Sequence, residues 1–229
     1  MSDAMSDAQT GLYLITPPRL LTGELDLRDF ADDLGRALDA AAVASVQLRL
    51  KGVDDDTLRR ACDTLRAVAH DRDVAFLVND RPDIAQATGC DGAHIGQEDM
   101  AYEDARDILG EEAILGVTCH ASRDLAFRAG EAGADYVAFG AFYPSPTKTR
   151  VHAPEPELLA WWREATVVPS VAIGGIGAEN CAPLVRAGAD FIAVCSYVWD
   201  HPEGPAAAIR RLASAVVAAS DGNSAIESA

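Results

Sequence analysis

Two aspartates stand just past the ends of consecutive apolar runs: Asp80 closes "FLVND" (76 to 80), and Asp99 follows "GAHI" in "GAHIGQED" (92 to 99). Paired hard carboxylates suit Mg²⁺, which takes one or two of them and fills its other positions with water and substrate phosphates. A third run, "SVQLRLK" (45 to 51), alternates, with Val46, Leu48 and Leu50 on one face and Gln47, Arg49 and Lys51 on the other. Burying even a neutral polar group without a partner costs roughly 2–7 kcal/mol, so an inward face of this kind implies a bound anion. Further along, "AIGGIG" carries Gly174 and Gly175 ahead of a helix expected to start near Ala178, and "FIAVCS" ends at Cys195 and Ser196. Backbone N–H groups at such strand-to-helix turns cradle phosphate.

Between these groups lies "FYPSPTKTRVHAP" (142 to 154), long for a connecting loop, with Ser145, Thr147 and Lys148. Its polarity suggests a phosphate clamp on a closing lid; a Schiff base at Lys148 would need a desolvated amine. Lys51 and Lys148 are the only lysines among 19 cationic residues, and a compact ammonium does what a planar guanidinium cannot. Plainer readings stand beside each of these. Asp80 and Asp99 could cap the helices that follow them, the strand cations could form internal salt bridges, Gly174 and Gly175 could serve a tight turn, and Lys148 could be solvated. The histidines lack metal-ligand spacing; His94 reads as a satisfied strand-end residue, while His120, after "LGVTC", could carry a proton at the mouth of the fold.

The elements that position these residues recur along the whole chain. Apolar runs occur at 12 to 16, 44 to 50, 74 to 78, 92 to 96, 113 to 118, 136 to 142, 168 to 175 and 191 to 196, with helical periodicity between them, as in "DTLRRACDTLRAVAH" (56 to 70). Strand alternating with helix eight times predicts a single-domain (β/α)8 TIM barrel over 11–219, in which strand C-termini carry the chemistry. Residues 1–10 and the small, polar tail 220–229 are expected to be disordered. Trp161 and Trp162 read as helix packing or a homo-oligomer contact.

Composition narrows the function. A net charge of −17 repels nucleic acid and anionic membranes. No apolar run approaches the roughly 18 residues of a membrane span. Neither a basic nor an apolar segment opens "MSDAMSDAQT", so it does not read as a secretory signal. Five scattered cysteines without a CxxC pair argue for reduced thiols in a cytoplasm and against zinc. The expected partners are small phosphorylated molecules.

In order, "YLIT", "VQLRLK", "FLVND", "GAHIGQED", "LGVTCH", "GADYVAFG", "YPSPTK", "AIGGI" and "AGADFIAVCS" resemble the thiamine phosphate synthase family over residues 12 to 215. The resemblance implies a transferase barrel that joins hydroxymethylpyrimidine diphosphate to a thiazole phosphate, releasing pyrophosphate. It implies Mg²⁺ on Asp80 and Asp99, diphosphate held by Gln47, Arg49, Lys51, Asn79 and Lys148, and the pyrimidine at Thr118, where the family usually has Ser. It assigns Ser145, Thr147, Gly175, Cys195 and Ser196 to the thiazole phosphate. Pro17, Leu50 and Ala141 depart from the family pattern, and "TRVHAP" lacks its usual glycine. The related thiazole tautomerase shares the barrel and phosphate pocket but moves protons with histidine, an alternative that His120 keeps open; a non-catalytic phosphate-binding barrel is a third reading.

Overall fold

The computed structural model describes residues 10–20, 25–144 and 153–227, with side chains through 221. Eight parallel strands close into a barrel in sequence order: β1 Gly11–Ile15, β2 Ser45–Leu48, β3 Ala75–Asn79, β4 Gly92–Ile95, β5 Ile114–His120, β6 Tyr136–Gly140, β7 Ser170–Ile173 and β8 Phe191–Val194. Outside them lie α1 Leu27–Leu38, α2 Asp55–His70, α3 Pro82–Ala87, α4 Tyr102–Leu109, α5 Arg123–Ala132, α6 Glu157–Ala165, α7 Ala182–Arg186 and α9 Pro205–Glu227. A short helix, α8 Ser196–Trp199, is inserted directly after β8. The expected (β/α)8 TIM barrel is therefore the fold, and each expected apolar run overlaps one strand, with β1 starting at Gly11, before its run, and β3 and β5 ending at Asn79 and His120, after theirs. No helix among the described residues is long and apolar enough to cross a membrane.

Two apolar layers follow from strand alternation. The outer layer takes Val46 and Leu48 of β2 and Ala93 and Ile95 of β4 against the helices, whereas the barrel interior holds a smaller set led by Tyr13, Ile15, Leu77, Tyr136, Ala138, Val171 and Ala193. Trp162 belongs to the outer layer, packed edge-on against Phe139 with its indole N–H on the Val168 carbonyl at 2.7 Å. Trp161 lies beside it, stacked under the Arg123 guanidinium.

A repeated tripeptide closes the N-terminal end of the barrel. "GCD", "GAD" and "GAD" precede β4, β6 and β8, and their aspartates reach back to the strand before. Asp91 accepts the Phe76 N–H of β3 at 2.6 Å, Asp135 the Leu115 N–H of β5 at 2.7 Å, and Asp190 the Ser170 N–H of β7 at 2.7 Å. Each carboxylate ties off a strand-start donor that would otherwise be dry. Asp190→Ala strands the N–H and hydroxyl of Ser170, a residue 1% exposed. Unfolding free energy should fall by about 1–3 kcal/mol, seen as a lower urea midpoint at unchanged slope, while kcat, which belongs to the other end of the barrel, holds.

Candidate active site

The C-terminal end of the barrel opens into a cavity of about 490 Å³, within the size range of small-molecule sites. Strand β2 supplies Gln47, 3% exposed and turned inward as its alternation required, and beyond the strand end Arg49 and Lys51 rise along the same wall. Arg49 is held by its backbone N–H on Thr16 Oγ1 at 2.9 Å, which ties the β2 end to β1.

Strand β3 ends on buried Asn79, and the next residue, Asp80, adopts the left-handed region at φ 63°. That conformation is costly for most residues but least so for Asp and Asn. Its backbone N–H bonds the His94 carbonyl at 2.8 Å, and its carboxylate lies 3.0 Å from Lys51 Nζ. Asp99 curls back from the loop after β4, one carboxylate oxygen accepting the Gly96 N–H at 2.8 Å. The two aspartates come within hydrogen-bonding reach of each other in the same cavity. Neither caps a helix: α3 is preceded by Arg81 and α4 by Ala101, both without a side-chain cap. Burial raises the Asp80 pKa first, the neighbouring Asp99 adds to it, and Lys51 only partly offsets them.

Opposite, Gly174 and Gly175 follow β7 with φ of 106° and 62°, and Cys195 and Ser196 follow β8, all lining the cavity. The helix expected near Ala178 starts later, at Ala182. Asn180 accounts for the delay by accepting the Gly177 N–H at 2.8 Å and donating to the Gly175 carbonyl at 2.9 Å, a local turn that competes with helix. The helix that meets the mouth is α8, whose first residue is Ser196. It is anchored from β1: Trp199 Nε1 donates to the Ile15 carbonyl at 2.7 Å, and Arg19 reaches the Trp199 carbonyl at 2.8 Å. The Cys195 thiol points to the Thr16 carbonyl and burial pushes its pKa up to about 12, so it is no nucleophile.

Gln47, Arg49, Lys51, Asn79, Asp80, Asp99, Thr118, Gly175, Cys195 and Ser196 thus share one cavity, and His120 lines it too, at φ 53°. Ser145, Thr147 and Lys148 lie outside the described residues. Sequence reasoning missed Gln97, which donates to the Thr118 carbonyl at 2.6 Å, and the second face of His94, which is satisfied as expected but also borders the cavity. Inward alternation along β4 was the signal for His94; nothing in the residue order marks Gln97.

The family model described as "Thiamine monophosphate synthase" matches residues 12–198. The chain belongs to the thiamine monophosphate synthase family. It has that family's thiamine-phosphate synthase function, a transferase activity. Among curated relatives it is 57% identical to the thiamine-phosphate synthase of Rhodospirillum centenum, covering 86% of this chain and 93% of that one. It is 48% identical to the thiamine-phosphate synthase of Erythrobacter litoralis, over 94% and 100%. Among solved structures it resembles thiamine phosphate pyrophosphorylase from Pyrococcus furiosus at a TM-score of 0.79 and 31% identity, covering 93% of this chain and 98% of that one.

Proposed function

We propose that the cavity joins hydroxymethylpyrimidine diphosphate to a hydroxyethylthiazole phosphate or its carboxylated form, with pyrophosphate leaving toward Arg49 and Lys51. The observation that carries this reading is the facing of two adjacent carboxylates and a cationic strand end within one cavity. Mg²⁺ fits that donor set: both ligands are hard oxygens, and the Asp80 carboxylate is disfavoured as an anion in the fold even with Lys51 beside it. When bound, Mg²⁺ neutralises charge on the diphosphate and so eases its departure.

The chain's own groups do the rest. Asn79, Gln47, Arg49 and Lys51 orient the diphosphate so that charge appearing on the leaving oxygen meets fixed donors. Thr118 borders the pyrimidine, and the amides following β7 and β8 take the thiazole phosphate, with Cys195 and Ser196 at their edge. From the sequence pattern alone, Ser145, Thr147 and Lys148 complete the phosphate contacts. No side-chain nucleophile is needed, because the thiazole nitrogen attacks the carbon that pyrophosphate leaves. The substrates are small molecules, and the reaction is placed in the cytoplasm, a reading supported by five free thiols. Incubating the protein with both substrates and Mg²⁺ should yield thiamine phosphate and pyrophosphate in equal amounts. Binding of both substrates without either product would leave a phosphate-binding barrel in place of an enzyme.

A further inference from the structure

Beneath the cavity floor, a chain of hydrogen bonds crosses the barrel from the β2 wall to the β5 wall. Gln47 Nε2 donates to the Tyr13 hydroxyl at 2.9 Å, the Tyr13 and Tyr136 hydroxyls meet at 2.9 Å, Tyr136 meets His94 Nδ1 at 2.9 Å, and His94 Nε2 meets Thr118 Oγ1 at 2.7 Å. All three linking rings are buried, at 3%, 6% and 7% exposure. The Tyr136 ring has its place because β5 carries glycine directly opposite it: a Cβ on Gly116 would fall 1.9 Å from Tyr136 Cζ. His94 stacks on the same ring at an interplanar angle of 19°.

The order of donors along this chain is not free. An amide nitrogen only donates, so Tyr13 accepts from Gln47 and spends its single proton on Tyr136. Tyr136 then spends its own proton on His94 Nδ1. A histidine that accepts at Nδ1 carries its proton on Nε2 and donates it to Thr118 Oγ1, which leaves the Thr118 hydroxyl proton for the cavity. Burial keeps both tyrosines as neutral phenols, their pKa pushed far above the ordinary value, so every link keeps its proton.

We propose that Tyr13 and Tyr136 are positioning residues that polarise this chain, so that Thr118 meets the substrate as a hydrogen-bond donor and selects a ring with a lone pair facing it. The inference rests on the reaction proposed above for its ligand, a neutral aminopyrimidine with bare ring nitrogens. A ring protonated at that nitrogen would present a donor to a donor and be refused.

Two measurements test it. In the substrate-free protein labelled with ¹⁵N-histidine, the His94 shifts should report a proton on Nε2 and a bare Nδ1; a proton on Nδ1, or on both nitrogens, overturns the proposal. This readout involves no turnover, so it stands or falls apart from the assigned reaction, and it needs no variant to fold. In kinetics, Tyr13→Phe should raise KM for the pyrimidine diphosphate by about tenfold, the equivalent of one lost hydrogen bond, with kcat roughly unchanged. Tyr13 is three links from Thr118, so without a relay the two positions should act independently. With it, Tyr13→Phe made in a Thr118→Val background should change KM by no more than about twofold. Equal KM factors in the two backgrounds overturn the relay.

Discussion

Asp80→Asn will cut kcat/KM on the order of 10²–10³-fold, the size expected when one preorganised electrostatic contact to a departing group is lost, and will leave activity nearly insensitive to Mg²⁺. The substitution keeps shape and removes one charge, so the loss reports electrostatics and not packing. Asp99→Asn should do the same, and the double variant should be little worse than either single one, because two carboxylates serving one cation act as a unit. Full Mg²⁺-dependent activity in both single variants would remove the metal assignment.

The same substitution should move stability the other way. In the folded chain the Asp80 pKa is raised, by burial first and by Asp99 next. Between the ordinary aspartate range and that raised value the folded state holds more protons than the unfolded one, so the contribution of Asp80 to stability is full below the window and lost as pH rises through it. A neutral amide at this position would carry no such loss. Without Mg²⁺ near neutral pH, Asp80→Asn should therefore unfold at a higher urea concentration than the parent chain, and the gain should vanish in acid. A less active and more stable variant is the signature of a carboxylate kept in place for function; a less stable one at neutral pH would mean that its bond to Lys51 dominates.

Such a residue was legible in the sequence because it breaks a rule. A carboxylate after five strand residues could cap the helix that follows, but two of them at consecutive strand ends, opposite Arg49 and Lys51 where the alternation of β2 continues inward, point to a bound cation and phosphate. Eight apolar runs with helices between them left few topologies open, so the barrel was legible too. Tyr13 and Tyr136 were not: within "LYLIT" and "YVAFG" they read as ordinary apolar strand residues, and only the closed barrel brings their hydroxyls together across its axis. The α7 start misled for a local reason, since the side chain of Asn180 satisfies backbone groups that a helix would otherwise use. The aspartates of the repeated "GCD" and "GAD" gave no hint of their partners, because each bonds a strand well before it in sequence, the separation being 15 for Phe76 and Asp91 and 20 for Leu115 and Asp135.

The phosphate side of the cavity yields the other large effect. Gly175→Ala should raise KM for the thiazole phosphate by about 10–100-fold, or roughly 1.4–2.8 kcal/mol of binding. Two causes add. At φ 62° an alanine is strained by roughly 1–2 kcal/mol, and its Cβ would fall 2.3 Å from the Pro144 carbonyl oxygen and 2.9 Å from that of Tyr143. Those are backbone atoms, and they are braced: Tyr143 N–H bonds the Gly174 carbonyl at 3.0 Å, and Tyr143 Oη reaches the Asn180 carbonyl at 2.9 Å. The turn must yield, and it carries the amide proposed to hold phosphate. Gly89→Ala separates the two causes, for Gly89 has φ 65°, nothing within 4 Å of its Cβ position, and a place at the opposite end of the barrel. It should lose a similar amount of stability to backbone strain while keeping its KM. Equal KM values for the Gly175 variant and the parent chain would mean that the phosphate sits elsewhere than on the turn after β7.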